Sequence, residues 1–290
     1  MNTQHAAAEA ASTFTAEMRA QWDAAAAGWD EHTAELRAWL AVPTRAMLAM
    51  AGVEVGARVL DVAAGAGDQT LDAAARVGAG GSVLATDLSP RIIELARGRV
   101  ARAGVANVEC RVADGARLPV ASATFDAAIC RLGLMFFPEP LRGVREMHRA
   151  LRRGGRACSM VFAGRERNPC IAILMATALE HAGLPPADAD ATGGLLSLGG
   201  PGRADALLRE AGFEDVATVA IDAPFRLPSV DHYLAFVRRS ASPVLQILGR
   251  LGEAAAEAAW DDMRERLRAF DTADAWEGPN ELLLTAGRRE

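Results

Sequence analysis

The chain of 290 residues contains no lysine; all 31 of its Lys/Arg positions are arginine. That excludes a Walker-type phosphate loop, a pyridoxal or carbonyl Schiff base and any lysine nucleophile. There is one tyrosine, so a Tyr-x-x-x-Lys oxidoreductase pair is missing as well. A net charge of -6 with scattered acids leaves no concentrated basic face, which argues against a nucleic-acid partner. The four cysteines, Cys110, Cys130, Cys158 and Cys170, are far apart, without CxxC or a histidine pair at ligand spacing. They are expected as reduced core thiols, with no metal and no disulfide. No apolar run approaches the length of a membrane span, and MNTQHAAAEAASTFTAEM lacks a basic segment followed by an apolar one. A soluble, cytoplasmic protein without membrane insertion is therefore expected.

What is abundant is apolar surface, 51% of residues, enough for one large α/β domain. Phe14, Met18, Trp22, Ala25 and Trp29 recur at helical spacing, the stripe of an amphipathic helix. A second helical stretch runs from Leu36, pauses at Pro43 and ends at Gly52. From there strand and helix patterns alternate, as in a parallel sheet covered on both faces. Strands are expected at 57–62, 82–86, 107–112, 124–130, 155–162, 214–221 and 281–287. Ser89-Pro90 reads as the start of a helix that Gly104 ends, and Pro140 opens LRGVREMHRALRR, which stops at Gly154-Gly155. The expected fold is α/β: a Rossmann-like, doubly wound, mostly parallel seven-stranded sheet. Residues 1–52 form an N-terminal helical segment and 53–290 the main domain, whose helical insertions at about 164–200 and 229–270 form a substrate lid.

The stretch VLDVAAGAGDQT, residues 59–70, is a strand, a glycine turn and the start of a helix. Such a turn gives close backbone approach and free N–H groups, and suits dinucleotides or S-adenosylmethionine. A dinucleotide turn prefers a third glycine; here that place is Thr70. Asp61 at the strand end repels a pyrophosphate and favours an ammonium and a sulfonium, directly or through water. Asp87, at the end of the second strand, suits the ribose hydroxyls of either cofactor. Asp114 follows the third strand and can accept from an adenine amino group, with Gly115 and Ala116 leaving room for the ring and offering N–H groups.

Together VLDVAAGAG, LATDLSP, the run from Val112 to Arg156 and, weakly, LLREAGFEDV resemble the class I S-adenosylmethionine-dependent methyltransferases, in particular the ubiquinone and menaquinone biosynthesis C-methyltransferase-like group. The resemblance covers residues 55–163 closely. It implies S-adenosyl-L-methionine as cofactor, with Asp61, Ala63, Gly65 and Gly67 as the first motif, Ala63 standing where the group commonly has glycine. It also implies Asp87 on the ribose, Leu88 on the adenine face, Asp114 with Gly115 or Ala116 at the adenine edge, and the Arg131 backbone along the cofactor. Trp29-Asp30 stands where the group has an aromatic-acidic pair, and Trp29 is a candidate to cover the sulfonium by a cation–π contact.

The reaction so implied is in-line methyl transfer, in which alignment and water exclusion supply most of the acceleration. His181 and His232, in the two insertions, are the candidate general bases. Met135, Phe136, Phe137 and Phe162 are candidates to line an acceptor pocket. No cysteine triplet suits arsenic, so the expected acceptor is small and largely apolar, a phenol, quinone, prenyl chain or polyketide, methylated on carbon or oxygen. A nicotinamide-dependent oxidoreductase and a catalytically silent S-adenosylmethionine-binding protein are the alternatives. The oligomeric state is open, a homodimer being one option.

Overall fold

The structure is a computed structural model that describes residues 3–186 and 193–290, with all their side chains except those of residues 3–12, 27, 29, 30 and 242. Two N-terminal helices, α1 (Thr3–Glu31) and α2 (Thr33–Met50), precede β1 (Arg58–Val62), α3 (Asp68–Val77), β2 (Ser82–Asp87), α4 (Pro90–Arg102), β3 (Val108–Val112) and β4 (Phe125–Arg131). Then come α5 (Pro140–Ala150), β5 (Leu151–Phe162), α6 (Pro169–His181), α7 (Arg203–Glu210) and β6 (Glu214–Asp222). The chain continues through β7 (Phe225–Leu227), α8 (Val230–Ser240), α9 (Ser242–Leu248), α10 (Glu253–Leu267), β8 (Trp276–Gly278) and β9 (Glu281–Arg288).

Seven strands form one sheet in the order β3-β2-β1-β4-β5-β9-β6, in which only β9 runs antiparallel to its neighbours. The central strands are apolar on both faces: Val59, Leu60 and Val62 in β1 and Ala127 to Cys130 in β4 are all buried. This is the doubly wound α/β sheet that the alternating pattern implied. Ser89 caps α4 by accepting the Ile92 N–H at 3.1 Å, and Pro140 opens α5.

Three local expectations change. Helix α2 runs unbroken through Pro43; Leu36, Leu40, Pro43, Thr44, Met47 and Leu48 make one buried face, and that burial offsets the roughly 3 kcal/mol a mid-helix proline costs. Helix α5 ends at Ala150 rather than Arg153, because Leu151 is fully buried and pairs with Phe125, and Gly154 (φ +77) lets β5 bulge before it rejoins β4 at Arg156. The region 229–270, expected to be helical throughout, divides into three α-helices, broken at the Ser242-Pro243 helix start and at Gly249 to Gly252. The short pair β7-β8 was not visible in the sequence, being only three residues per strand.

A second apolar cluster forms apart from the sheet, from α6, α8, α9, α10 and the β7-β8 pair. Its centre is Trp276, fully buried, stacked on Tyr233 at 4.5 Å and donating its indole N–H to Leu267 O at 2.9 Å. Trp39 and Met175 touch both clusters, so the helical insertions are seated on the sheet through shared apolar side chains. Among the described residues, no helix is long and apolar enough to cross a membrane.

Candidate functional site

The order β3-β2-β1-β4 places the reversal of strand order between β1 and β4, where open α/β sheets form a crevice at the carboxyl ends of the strands. The chain leaves β1 through Ala63, Ala64, Gly65, Ala66 and Gly67 into α3. Ala63 holds φ +54, a conformation that disfavours a residue with a Cβ by about 1–2 kcal/mol. A Cβ added to Gly133, just beyond β4, would overlap the Ala63 methyl. The two positions therefore share one methyl-sized space: Ala63 carries the methyl and position 133 is left bare. Leu132 is also left-handed (φ +54), so backbone strain sits at the ends of both central strands.

The Asp61 carboxylate is fully buried and does not reach a cavity surface; Thr70 donates to its Oδ2 at 2.6 Å and Gln69 to its Oδ1 at 3.3 Å. Thr70, standing where a dinucleotide turn prefers glycine, is a partner of Asp61. Burial pushes the Asp61 carboxyl up to about 7, against these two hydrogen bonds and the nearby Arg131 charge. Gly67, at φ +91, starts α3 and brings it against α4, where an added Cβ would lie 3.3 Å from Ala96 Cβ. It too lies off the cavity surface.

A cavity of about 140 Å³ opens over this turn. It brings together Ala63, Gly65, Asp87, Leu88, Asp114, Gly115 and Arg131 of the expected set. Asp87 accepts the Gly65 and Ser89 N–H groups, both at 3.0 Å, one on each oxygen. A carboxylate has about four acceptor positions, so acceptor capacity remains on each side. Burial raises its pKa. Asp114 accepts the Ala116 N–H at 2.9 Å; Ala116 therefore has no free N–H to offer and lines no part of the cavity. Gly115 is packed so closely that a Cβ would overlap the Phe137 ring and lie 2.9 Å from Val62 Cγ1.

Arg131 lines the cavity, and its one side-chain hydrogen bond among the described residues runs from Nη1 to Thr44 Oγ1 at 3.0 Å. Four of its five N–H donors are thus left for a ligand or water. Several further lining residues escaped the sequence reading, among them Asp68, Gln69, Met18 and Trp22. Asp68 forms a buried ion pair with Arg99 at 2.9 Å. Gln69 donates to Asp61 and, at 2.9 Å, to Ala64 O, while its Oε1 is buried without a partner. Met18 and Trp22 of α1 roof the cavity; the α1 stripe carried their signal, but not what they would cover. Asp23 of the same helix binds the Ser89 hydroxyl, which seats α1 on the start of α4. Trp29 lies outside the residues whose side chains are described.

A second cavity, of about 110 Å³, adjoins the first and shares Trp22, Leu132 and Phe136 with it. Met135, Phe136 and Phe162 all line it, together with Trp39 and side chains of α6, α8 and α9. Phe137 lines the first cavity instead. The two expected bases do not belong here. His181 pairs with Asp262 at 3.1 Å on the outer side of α6 and α10, and His232 is exposed and bonded to Ser229 Oγ at 2.9 Å. Neither lines either cavity, because each sits on its helix away from the buried stripe that packs into the second apolar cluster. All four cysteines are free thiols, and burial pushes Cys130, Cys158 and Cys170 up to about 12. Among the described residues, no group of three or more His, Cys, Asp or Glu is placed to hold a metal ion.

Residues 59–155 match a family described as a methyltransferase domain. That match spans about a third of the chain, from β1 into β5. An uncharacterized protein of Mycobacterium tuberculosis (strain H37Rv) is 38% identical over 114 residues, 39% of this chain and 40% of that protein. The ubiquinone/menaquinone biosynthesis C-methyltransferase of Geotalea uraniireducens is 34% identical over 109 residues, 37% of this chain and 46% of that protein. The chain thus spans less than half the length of the curated relatives it matches. Among solved structures, the YcgJ protein of Bacillus subtilis has a TM-score of 0.58 at 17% identity, over 85% of this chain and 98% of that one. The [4+2]-cyclase SpnF has a TM-score of 0.54 at 22% identity, over 85% and 79%. These likenesses concern the fold alone.

Proposed function

We propose that the chain binds S-adenosyl-L-methionine in the first cavity and directs its methyl group to carbon or oxygen of a small, largely apolar acceptor in the second. The observation that carries this reading is the common wall: Trp22, Leu132 and Phe136 face both cavities, so ligands in the two would meet there. The residues present fit the cofactor. Gln69 Oε1 is a buried acceptor with no donor, beside a buried carboxyl, and an ammonium supplies what it lacks. Arg131 has donors to spare for a carboxylate. A pyrophosphate would instead face Asp68, Asp87 and Asp114, like charges in a low-dielectric site.

In this reading Arg131 holds the carboxylate of the methionine part, and Gln69, backed by Asp61, takes its ammonium. Asp87 accepts from the ribose hydroxyls, Leu88 and Ile92 pack on the adenine, and Asp114 meets its edge beside the space that Gly115 leaves. When bound, the cofactor supplies an activated methyl group on a sulfonium. Trp22 and Met18 exclude water from above, and Trp22 takes the covering role first assigned to Trp29. Among the described residues, no His, Asp or Glu lines the second cavity. The chain's part is then alignment and dryness, worth on the order of 7 to 11 kcal/mol where geometry is good. The helical additions at 164–200 and 229–270 act as the acceptor's lid.

Isothermal titration with S-adenosylmethionine, S-adenosylhomocysteine and NAD tests the reading. Both adenosyl compounds should bind and NAD should not; binding of NAD alone overturns it. Asp87→Ala should weaken S-adenosylhomocysteine by at least tenfold, since a hydrogen bond to a charged group contributes about 1.5–3 kcal/mol. An unchanged affinity removes the ribose assignment.

A further inference from the structure

Among the described residues, no charged side chain lines the second cavity, and the polar side chains in its wall are those of Ser240, Asn280 and Tyr233. The Ser240 hydroxyl is used within its own helix, donating to Phe236 O at 2.7 Å. Asn280 donates to Gly278 O at 3.2 Å and keeps its side-chain carbonyl as an acceptor. Tyr233, the chain's one tyrosine, is 6% exposed, and its ring is fixed by stacking on Trp276 at 4.5 Å and by a tilted contact with Phe225 at 5.8 Å. Yet its hydroxyl has no hydrogen-bond partner among the described residues. A buried tyrosine hydroxyl ordinarily finds a partner. Burial also raises the phenol above its ordinary pKa, so it is a donor at neutral pH and not a base.

We infer that the second cavity selects an uncharged aromatic or similarly flat apolar molecule that carries one hydroxyl or carbonyl, and that Tyr233 anchors this polar group by a hydrogen bond, with Asn280 as the neighbouring acceptor. This deepens the acceptor half of the proposed function and rests on it for the name acceptor; occupancy of the cavity does not depend on the cofactor assignment. The surrounding rings of Trp39, Phe162, Phe225 and Phe236 offer π faces on several sides, and a flat ligand matches them better than a flexible chain. An ion placed there would be desolvated without a counter-charge, which is heavily penalised. Tyr233 is thus a specificity-determining residue and takes no part in proton transfer.

The test uses 1-naphthol, naphthalene, 1-naphthoate and 1-naphthylmethylammonium as size-matched probes, titrated calorimetrically into the full chain. 1-Naphthol should bind at least 100-fold more tightly than either ion. Tyr233→Phe keeps the stacked ring and removes only the hydroxyl; it should weaken 1-naphthol about five- to tenfold, the size of one hydrogen bond, and leave naphthalene within twofold. Met175→Trp, which fills the cavity from α6, should weaken both neutral probes. The inference is overturned if 1-naphthoate binds as well as 1-naphthol, if Tyr233→Phe moves both neutral probes equally or neither, or if Met175→Trp leaves both unchanged. S-adenosylhomocysteine is titrated separately into each variant: its failure to bind the wild-type chain would remove the cofactor reading and leave the probe results standing.

Discussion

Replacing Asp61 by Asn isolates the energetic consequence of a fully buried carboxyl beneath the glycine turn. Burial raises its pKa from 3.8 to about 7, outweighing the hydrogen bonds of Thr70 and Gln69 that favour the anion. A group that holds its proton more tightly in the folded chain stabilises folding while protonated. Its contribution is complete below pH 3.8 and is lost as pH rises through 7. A rise of about three units corresponds to about 4 kcal/mol, of which roughly 3 kcal/mol falls between about pH 5 and 8. Asparagine keeps the shape, and the Thr70 hydroxyl can turn to accept from its amide. Urea unfolding of both chains across this range should show the wild type losing about 3 kcal/mol relative to Asp61→Asn. Parallel stability curves, separated by a constant to within about 0.5 kcal/mol, would refute the reasoning. A cation bound near Asp61 would also favour its ionised form. S-adenosylmethionine should therefore bind with proton release at pH 6 and without it at pH 8, seen as a buffer-dependent heat.

Arg131→Met should weaken S-adenosylhomocysteine about 10- to 100-fold and leave 5′-methylthioadenosine, which lacks the amino-acid part, within twofold; equal losses for both would show that Arg131 shapes the fold rather than holding a carboxylate. Gly133→Ala should destabilise by about 1–3 kcal/mol through overlap with Ala63, and the double variant Ala63→Gly, Gly133→Ala should recover most of it in thermal unfolding. Additive effects would mean the two positions do not share their space. His181→Ala and His232→Ala should leave binding of S-adenosylhomocysteine and 1-naphthol unchanged and alter stability by less than about 1 kcal/mol, as expected for partly exposed pairs; a tenfold loss of 1-naphthol binding in either would return that histidine to the acceptor site.

The strand positions and the acidic residues at their ends were legible because a doubly wound sheet imposes local rules. Central strands are apolar on both faces, each crossover helix is capped, and the ligand crevice lies at the strand ends. Asp87, Asp114 and Gly115 could therefore be placed from strand ends alone. The histidines could not. Position in an insertion says nothing about which way a helix turns, and the apolar stripes of α6 and α8 carry Leu174 and Tyr233 inward while His181 and His232 stay outside the cavities.

The sequence by itself determined the α/β class, the turn over β1 and the carboxylates around it, since these depend on periodicity and on residues adjacent along the chain. Only the tertiary structure decided which side chains face the same space. Thr70 became the partner of Asp61, Gly133 the complement of Ala63, Trp22 the roof of the crevice and Tyr233 the polar group of the second cavity. Ala63 and Gly133 are 70 positions apart in sequence, and no local pattern encodes a contact made only when separate elements pack.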